Sequence, residues 1–366
     1  MRNDQLIRTG WFLFIISVVI TIFILAKSIL VPFVLSVFIS YLLYPLVWKV
    51  ERRGVHRGIS ILLVLTVATI IIGGITLLLS IKLSNTSVDL EGLQATFETK
   101  TEALQNILQE KTGADAKTMN YYIDKATKNF FSSTQSVLQS LFTATSAVLF
   151  QIGLLPVFVF FLLFYRTKTA YFIFRLVGRE NKTLALHILR EISSVTTKYL
   201  GGLLIVVAIL AVLNSIGLLI IGVEHAIIFG VLAAVLNLIP YIGTFLGGLI
   251  PFVYVLATTP DPAILLIKIV VIFSIVQFLE NNLITPNIVG KSIRLNPLAI
   301  IIGMLFANLI WGMAGLLVVI PTLAILKVIM RNVEDFKPYA YLISNRGTEK
   351  YEVNFNLLNM IKKKIK

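Results

Sequence analysis

One stretch of the chain gathers most of the side chains able to do chemistry: Gln277-Phe278-Leu279-Glu280-Asn281-Asn282-Leu283-Ile284-Thr285-Pro286-Asn287-Ile288-Val289-Gly290. Glu280 stands between two apolar blocks and is followed at once by two amides. A charged group at bilayer depth is costly unless it is paired or faces a wet cavity, so such a carboxylate is a functional candidate by default. It can bind a cation or carry a proton, while Gln277, Asn281 and Asn282 offer donors and acceptors to a polar solute. The competing reading puts Glu280 at an interface, where it merely caps a helix. Lys268 lies twelve residues earlier, about 18 Å along a helix, so the two cannot pair within one helix; Lys268 either snorkels or meets another segment. A second polar interruption, Asn237-Leu238-Ile239-Pro240-Tyr241-Ile242-Gly243, adds Asn237 and Tyr241 as solute contacts. Asn214 and Asn308 also sit inside apolar blocks, where hydrogen bonding between helices explains amides equally well.

Other chemistries are excluded by what surrounds these residues. The chain has no cysteine, which removes disulfides, thiol nucleophiles and thiolate metal sites together. His56, His187 and His225 fall in separate loops without ligand spacing, so no metal site is expected. Gly290-Lys291-Ser292 lacks the earlier glycine of a phosphate loop, since position 285 is Thr. No nucleophile elbow or two-histidine metalloprotease motif occurs. The expectation is a protein that is not an enzyme and carries no cofactor.

The elements that must position Glu280 follow from composition. Of 366 residues, 57% are hydrophobic and only 14% charged, too few charges to coat a soluble globule. The apolar residues form blocks at 11–26, 31–48, 59–81, 144–165, 199–223, 226–258, 262–279 and 297–326, most of them near the length that crosses a bilayer. The fold class is therefore all-α: a polytopic helical membrane protein of about eight hydrophobic segments, two of them broken or re-entrant, plus an external helical segment. The net charge of +14 then points to cytoplasmic loops and anionic lipid rather than nucleic acid. Stretches 49–58, 166–198 and 327–366 are net basic, and 82–143 is slightly acidic, which places the first three, and both termini, inside and the last outside. The chain divides into N-terminal transmembrane segments (1–81, with 11–26 and 31–48 as a crossing pair), an external amphipathic helical segment (82–143), a transport core with a cytoplasmic loop at 166–198 (144–330), and a basic tail (331–366).

Blocks 226–258 and 297–326 have the wrong length. As straight helices they would reach roughly 50 and 45 Å, against a hydrocarbon core of roughly 30 Å. Each is punctuated near its middle, by Pro240 and Gly243 in one and by Gly312 and Gly315 in the other, and such residues break helices. Both a tilted broken helix and a re-entrant hairpin remain open; two hairpins would keep Lys291 and Arg294 inside. The blocks resemble each other, Ala226-Ile227-Ile228-Phe229-Gly230 beside Ala299-Ile300-Ile301-Ile302-Gly303, each with a later proline, Pro251 and Pro321. An inverted repeat of broken helices is how many transporters build a midplane site.

These residues resemble the autoinducer-2 exporter family of bacterial membrane transporters. The likeness rests on Gly222-Val223 through Asn237-Leu238-Ile239-Pro240-Tyr241-Ile242-Gly243 to Pro251, and on Gln277, Glu280-Asn281-Asn282, Pro286, Gly290, Leu295, Pro297, Trp311-Gly312, Gly315 and Pro321. Thr244 stands where the family often has a second proline. The resemblance implies an eight-segment inner-membrane protein, homo-oligomeric with a pentamer among the forms, that moves small solutes. Some members are linked to autoinducer-2 export, others to exchange of sodium or lithium for protons. The resemblance supplies no catalytic residues, so the candidate site is Glu280, Asn281, Asn282, Asn237, Tyr241, Gln277 and Lys268, with Pro240, Gly243, Pro286, Gly290, Gly312 and Gly315 as breaks or hinges. The expected function is export of a small polar solute; the alternatives are a sodium or lithium/proton antiporter and a non-transporting membrane scaffold.

Overall fold

The computed structural model describes residues 2–85, 125, 153–178, 180–239, 242–289 and 294–345. The amphipathic helix expected between Tyr122 and Phe142 lies outside them except for Lys125, as do Pro240, Tyr241, Gly290 and Lys291. Helices account for nearly all of what is described: α1 (Arg2–Leu25), α2 (Lys27–Glu51), α3 (Arg57–Asn85), α4 (Gly153–Phe164), α5 (Arg166–Val177), α6 (Lys182–Ile220), α7 (Ala226–Leu236), α8 (Ile242–Thr258), α9 (Ala263–Leu279), α10 (Pro297–Trp311), α11 (Met313–Asn332) and the short α12 (Lys337–Leu342). Among the described residues five helices are long and apolar enough to cross a membrane, α2, α3, α6, α9 with its extension to Ile288, and α11. The protein is an all-α polytopic membrane protein.

The N-terminal pair departs from the expectation. Only Ala26 separates α1 from α2: Ala26 N donates to Ile22 O at 2.8 Å, closing α1, and Leu30 N donates to Ala26 O at 2.9 Å, opening α2. One helical residue is too short a connection for antiparallel neighbours, which need about two to five, so 11–26 and 31–48 meet end to end and do not cross as a pair. The basic stretch 166–198 is itself helical, forming α5 and the first turns of α6. At 39 residues, α6 is roughly 58 Å long and runs past the whole core.

Four apolar clusters hold the bundle. Leu43, Val47, Ile61, Val159 and Leu163 join α2, α3 and α4. Leu218, Phe229, Tyr254, Val255 and Ile269 join the end of α6 to α7, α8 and α9. Tyr199, Val206, Leu210, Ala234, Val276 and Val289 bind α6 to α7 and to both ends of the Glu280 region. Ile239, just past α7, is buried with Met304, Leu316 and Val319 of α10 and α11.

The two over-long blocks break where the sequence is punctuated, and each folds back on itself. A Cβ on Gly243 would lie 1.7 Å from Leu236 O, and one on Gly247 would lie 2.9 Å from Ala233 Cβ. Contacts that climb one arm while descending the other mean that α7 and α8 are antiparallel. In the second block Gly315 lies against Ala307 and Gly303 against Val319 and Leu323, so α10 and α11 pair the same way. Gly312, at the second turn, has φ 60° and ψ −138°, a conformation that essentially only glycine adopts without strain. Both blocks are hairpins, and α9 runs between them in the chain.

Candidate functional site

Four helices converge on Glu280. From α9 comes a stripe at i, i+3, i+4 and i+7 (Phe273, Val276, Gln277, Glu280); from α6, Leu210 and Asn214; from the end of α7, Ala233 and Asn237; from the start of α8, Thr244. Between them lies a cavity of about 10 Å³ for the centre of a water-sized sphere, close to the minimum that admits one water molecule. Glu280 is only 8% exposed and Asn214 5%. A buried carboxylate must be hydrogen-bonded to be tolerated, and the first hairpin's turn supplies the partner: Asn237 Nδ2 donates to Glu280 Oε1 at 2.8 Å. Thr244 Oγ1 in turn donates to Asn237 Oδ1 at 2.6 Å. The chain Thr244–Asn237–Glu280 ties both arms of the hairpin to α9.

The backbone at Glu280 has a specific irregularity. Residues Glu280–Ile284 form a single π turn, closed by Thr285 N donating to Glu280 O, five residues back. The helix then continues through Thr285–Ile288. A π turn inserts an extra residue into the helical repeat, and such bulges concentrate at functional sites. Glu280 keeps the inward stripe while Asn281, Asn282 and Leu283 are turned outward and exposed.

The remaining polar atoms are mostly acceptors. Asn237 has both ends engaged, and the Thr244 hydroxyl is spent as a donor. Gln277 Nε2 donates to Asn281 Oδ1 at 3.1 Å. Asn214 Oδ1 is buried with no hydrogen-bond partner. Glu280 supplies the one charged group of the lining, beside the amides of Asn214 and Gln277, a set that suits a cation or a hydroxyl donor rather than an anion.

The family can be settled against this geometry. A family model described as AI-2E family transporter matches residues 13–335. The chain belongs to the AI-2E transporter family. It is similar to "Putative transport protein YrrI" of Bacillus subtilis (strain 168), 29% identical with 83% of this chain and 86% of the relative covered. It is also similar to "AI-2 transport protein TqsA" of Escherichia coli (strain K12), 26% identical over 88% of this chain and 92% of the relative.

Within this AI-2E family transporter, the sequence-derived residues fall into three groups. Glu280, Gln277 and Asn237 meet in the cavity. Asn281 touches it only through Gln277, and Asn282 is exposed, its Nδ2 donating to Phe278 O of its own helix at 2.8 Å. Lys268 is exposed near the far end of α9 and lines no part of the cavity: three and a third helical turns separate it from Glu280, as its spacing requires. Among the break residues, Gly243 and Gly315 are buried where hairpin arms touch, Gly312 makes a turn, and Pro286 is exposed just after the π turn. Thr244 and Asn214 were not among the candidates. Asn214 carried a signal, an amide in an otherwise apolar run; Thr244 carried only its place beside the Pro240 break.

Proposed function

We propose that the protein is a secondary transporter of the bacterial cytoplasmic membrane that exports a small polar solute through the Glu280 cavity, with its basic loops and its C-terminal tail on the cytoplasmic side. The observation that carries this is the buried Glu280 carboxylate, hydrogen-bonded by a hairpin-turn amide inside otherwise apolar helices. Irregular backbone at membrane depth is tolerated where it lines protein or a cavity, and Asn237 at the end of α7 with the π turn at 280–284 meet that condition on two sides of one space. In the conformation described the cavity holds nothing larger than about one water, so a larger solute requires the Asn237–Glu280 contact to open. Autoinducer-2 is the leading solute by likeness to the relative named for its transport. The exposed apolar surface of the bundle is covered by lipid and by further copies of the chain in a homo-oligomer.

A second reading, exchange of sodium or lithium for protons at Glu280, is favoured by the acceptor-rich lining. Reconstituted proteoliposomes separate the two. Glu280→Gln abolishes autoinducer-2 flux while the protein stays folded and oligomeric; unchanged flux removes Glu280 from the route. A change in internal pH on adding sodium or lithium, lost in the same variant, supports exchange. A protein that moves neither solute nor protons would be the scaffold.

A further inference from the structure

We propose that the exposed flank of α5 docks on anionic lipid headgroups of the leaflet it meets. α5 is bent 63° from α4 at Tyr165, so its axis lies about 27° from the plane perpendicular to the α4 axis. The elbow is held rigidly. Arg166 pairs with the Glu51 carboxylate at the end of α2. Arg57 Nη2 at the start of α3 donates to Leu163 O at 3.2 Å and to Thr167 Oγ1 at 3.3 Å. The helix therefore leaves α4 at a fixed angle, which lays it towards the bilayer surface when α4 runs along the membrane normal.

Its side chains suit that surface. No residue of α5 is buried. Lys168 and Arg175, seven residues apart, fall on one side of the helix, and Phe172 and Leu176, four apart, form the adjoining stripe. Phe172 is 61% and Leu176 70% exposed. Tyr165 and Tyr171 flank the cations, with Lys168 Nζ and Arg175 Cζ each 5.4 Å from a ring centroid. α5 contains no carboxylate, and Arg166 is already matched by Glu51. Two cations beside two large apolar side chains need a partner that offers phosphate and hydrocarbon within a few ångströms. The headgroup–acyl boundary of an anionic leaflet offers both. A protein partner would need a carboxylate beside an apolar pocket, and nothing in the structure calls for one.

The absence of native cysteine makes the test direct. Full-length Phe172→Cys, labelled with a fluorophore that brominated acyl chains quench, is placed in nanodiscs of phosphatidylcholine and phosphatidylglycerol with bromine on one lipid at a time. The expected result is protection from aqueous acrylamide together with stronger quenching by brominated phosphatidylglycerol. At about fivefold preference per cation, the pair gives roughly 30-fold local enrichment of the anionic lipid. Lys168→Gln with Arg175→Gln brings the two quenching curves together, and the Lys168→Arg, Arg175→Lys exchange keeps them apart. Equal quenching by both lipids in the parent, free access of acrylamide, or protection that persists in detergent through a second copy each overturn the proposal. None of these residues lines the Glu280 cavity, so failure here leaves the transport reading standing.

Discussion

Replacing Gly243 by alanine exchanges one hydrogen for a methyl group, and the hairpin geometry makes that carbon costly. Its Cβ would stand 1.7 Å from Leu236 O, 2.4 Å from Leu236 C and 2.9 Å from Asn237 Cα. All three neighbours are backbone, so no rotamer change relieves the clash. The arms of the first hairpin must part by more than an ångström at their turn, where Asn237 and Thr244 face each other. Overpacking of this kind costs about 1–3 kcal/mol. Separating Asn237 from Thr244 and Glu280 adds about 1 kcal/mol for the neutral hydrogen bond and about 1.5–3 for the charged one, giving a total of roughly 3.5–7 kcal/mol.

Gly201 supplies the matched control. It lies inside α6 with nothing within 4 Å of a built Cβ, so alanine there removes the helix penalty of glycine and stabilises by about 1 kcal/mol. Thermal unfolding of the detergent-solubilised protein, followed by loss of the monodisperse peak on gel filtration, reads both. Gly243→Ala melts well below the parent and loses flux; Gly201→Ala melts at or above it and retains flux. If both variants move the same way, or Gly243→Ala is as stable and active as the parent, then α7 and α8 do not touch as described and the hairpin reading fails.

Other substitutions test separate parts of the same argument. Asn214→Leu removes a buried acceptor that has no partner, so stability holds or rises by about 1–3 kcal/mol while flux in proteoliposomes falls; intact flux would take Asn214 out of the cavity's work. Asn282→Ala deletes only a bond to its own helix and leaves flux unchanged, which a loss of transport would contradict. Gly312→Ala forces a side chain onto φ 60°, ψ −138° and lowers thermal stability by about 1–3 kcal/mol, a drop absent if the turn is regular helix. Glu191→Gln weakens a pairing with a largely exposed Arg331, so stability falls by less than about 1 kcal/mol; a larger loss would make that contact a structural lock.

The sequence carried the breaks in the two long blocks because their signal is local, and left hairpin and tilted broken helix both open. Chain length against bilayer thickness exposes the misfit of 226–258 and 297–326, and Gly and Pro mark the turning points. Glu280 was equally legible, a lone carboxylate between apolar blocks. The α9 stripe of Phe273, Val276, Gln277 and Glu280 follows ordinary helical spacing, but no stripe stands out where every position is apolar. Asn282 falls on the face opposite Glu280 by ordinary helical spacing, whereas the π turn over Glu280–Ile284 is announced by no composition. The partner of Glu280 is 43 residues away, a pairing that only the fold can make. At the α1–α2 junction a charge-free run with Lys27 at its break reads as two blocks joined by a loop, whereas a single residue, Ala26, connects the two helices.

The two hairpins are alike in build and unlike in chemistry. Gly243 and Gly315 let the arms meet in each, yet only the first turn presents polar groups to the cavity. The matching Ala-Ile-Ile-Xaa-Gly runs also face different neighbours: a Cβ on Gly230 would lie 2.3 Å from Ser215 Oγ of α6, and one on Gly303 2.8 Å from Leu323 of its own hairpin. The first turn is held from two sides, by Asn237 on Glu280 and by Ile239 buried among Met304, Leu316 and Val319 of the second hairpin. Enlarging the cavity by moving that turn must therefore strain a charge-assisted hydrogen bond and an apolar seam together. Moving both hairpins as a unit away from α9 spares the Ile239 seam but opens the polar contact together with the packing of Phe229, Tyr254 and Val255 on Ile269. Either motion parts Asn237 from Glu280, and each carries its own apolar cost.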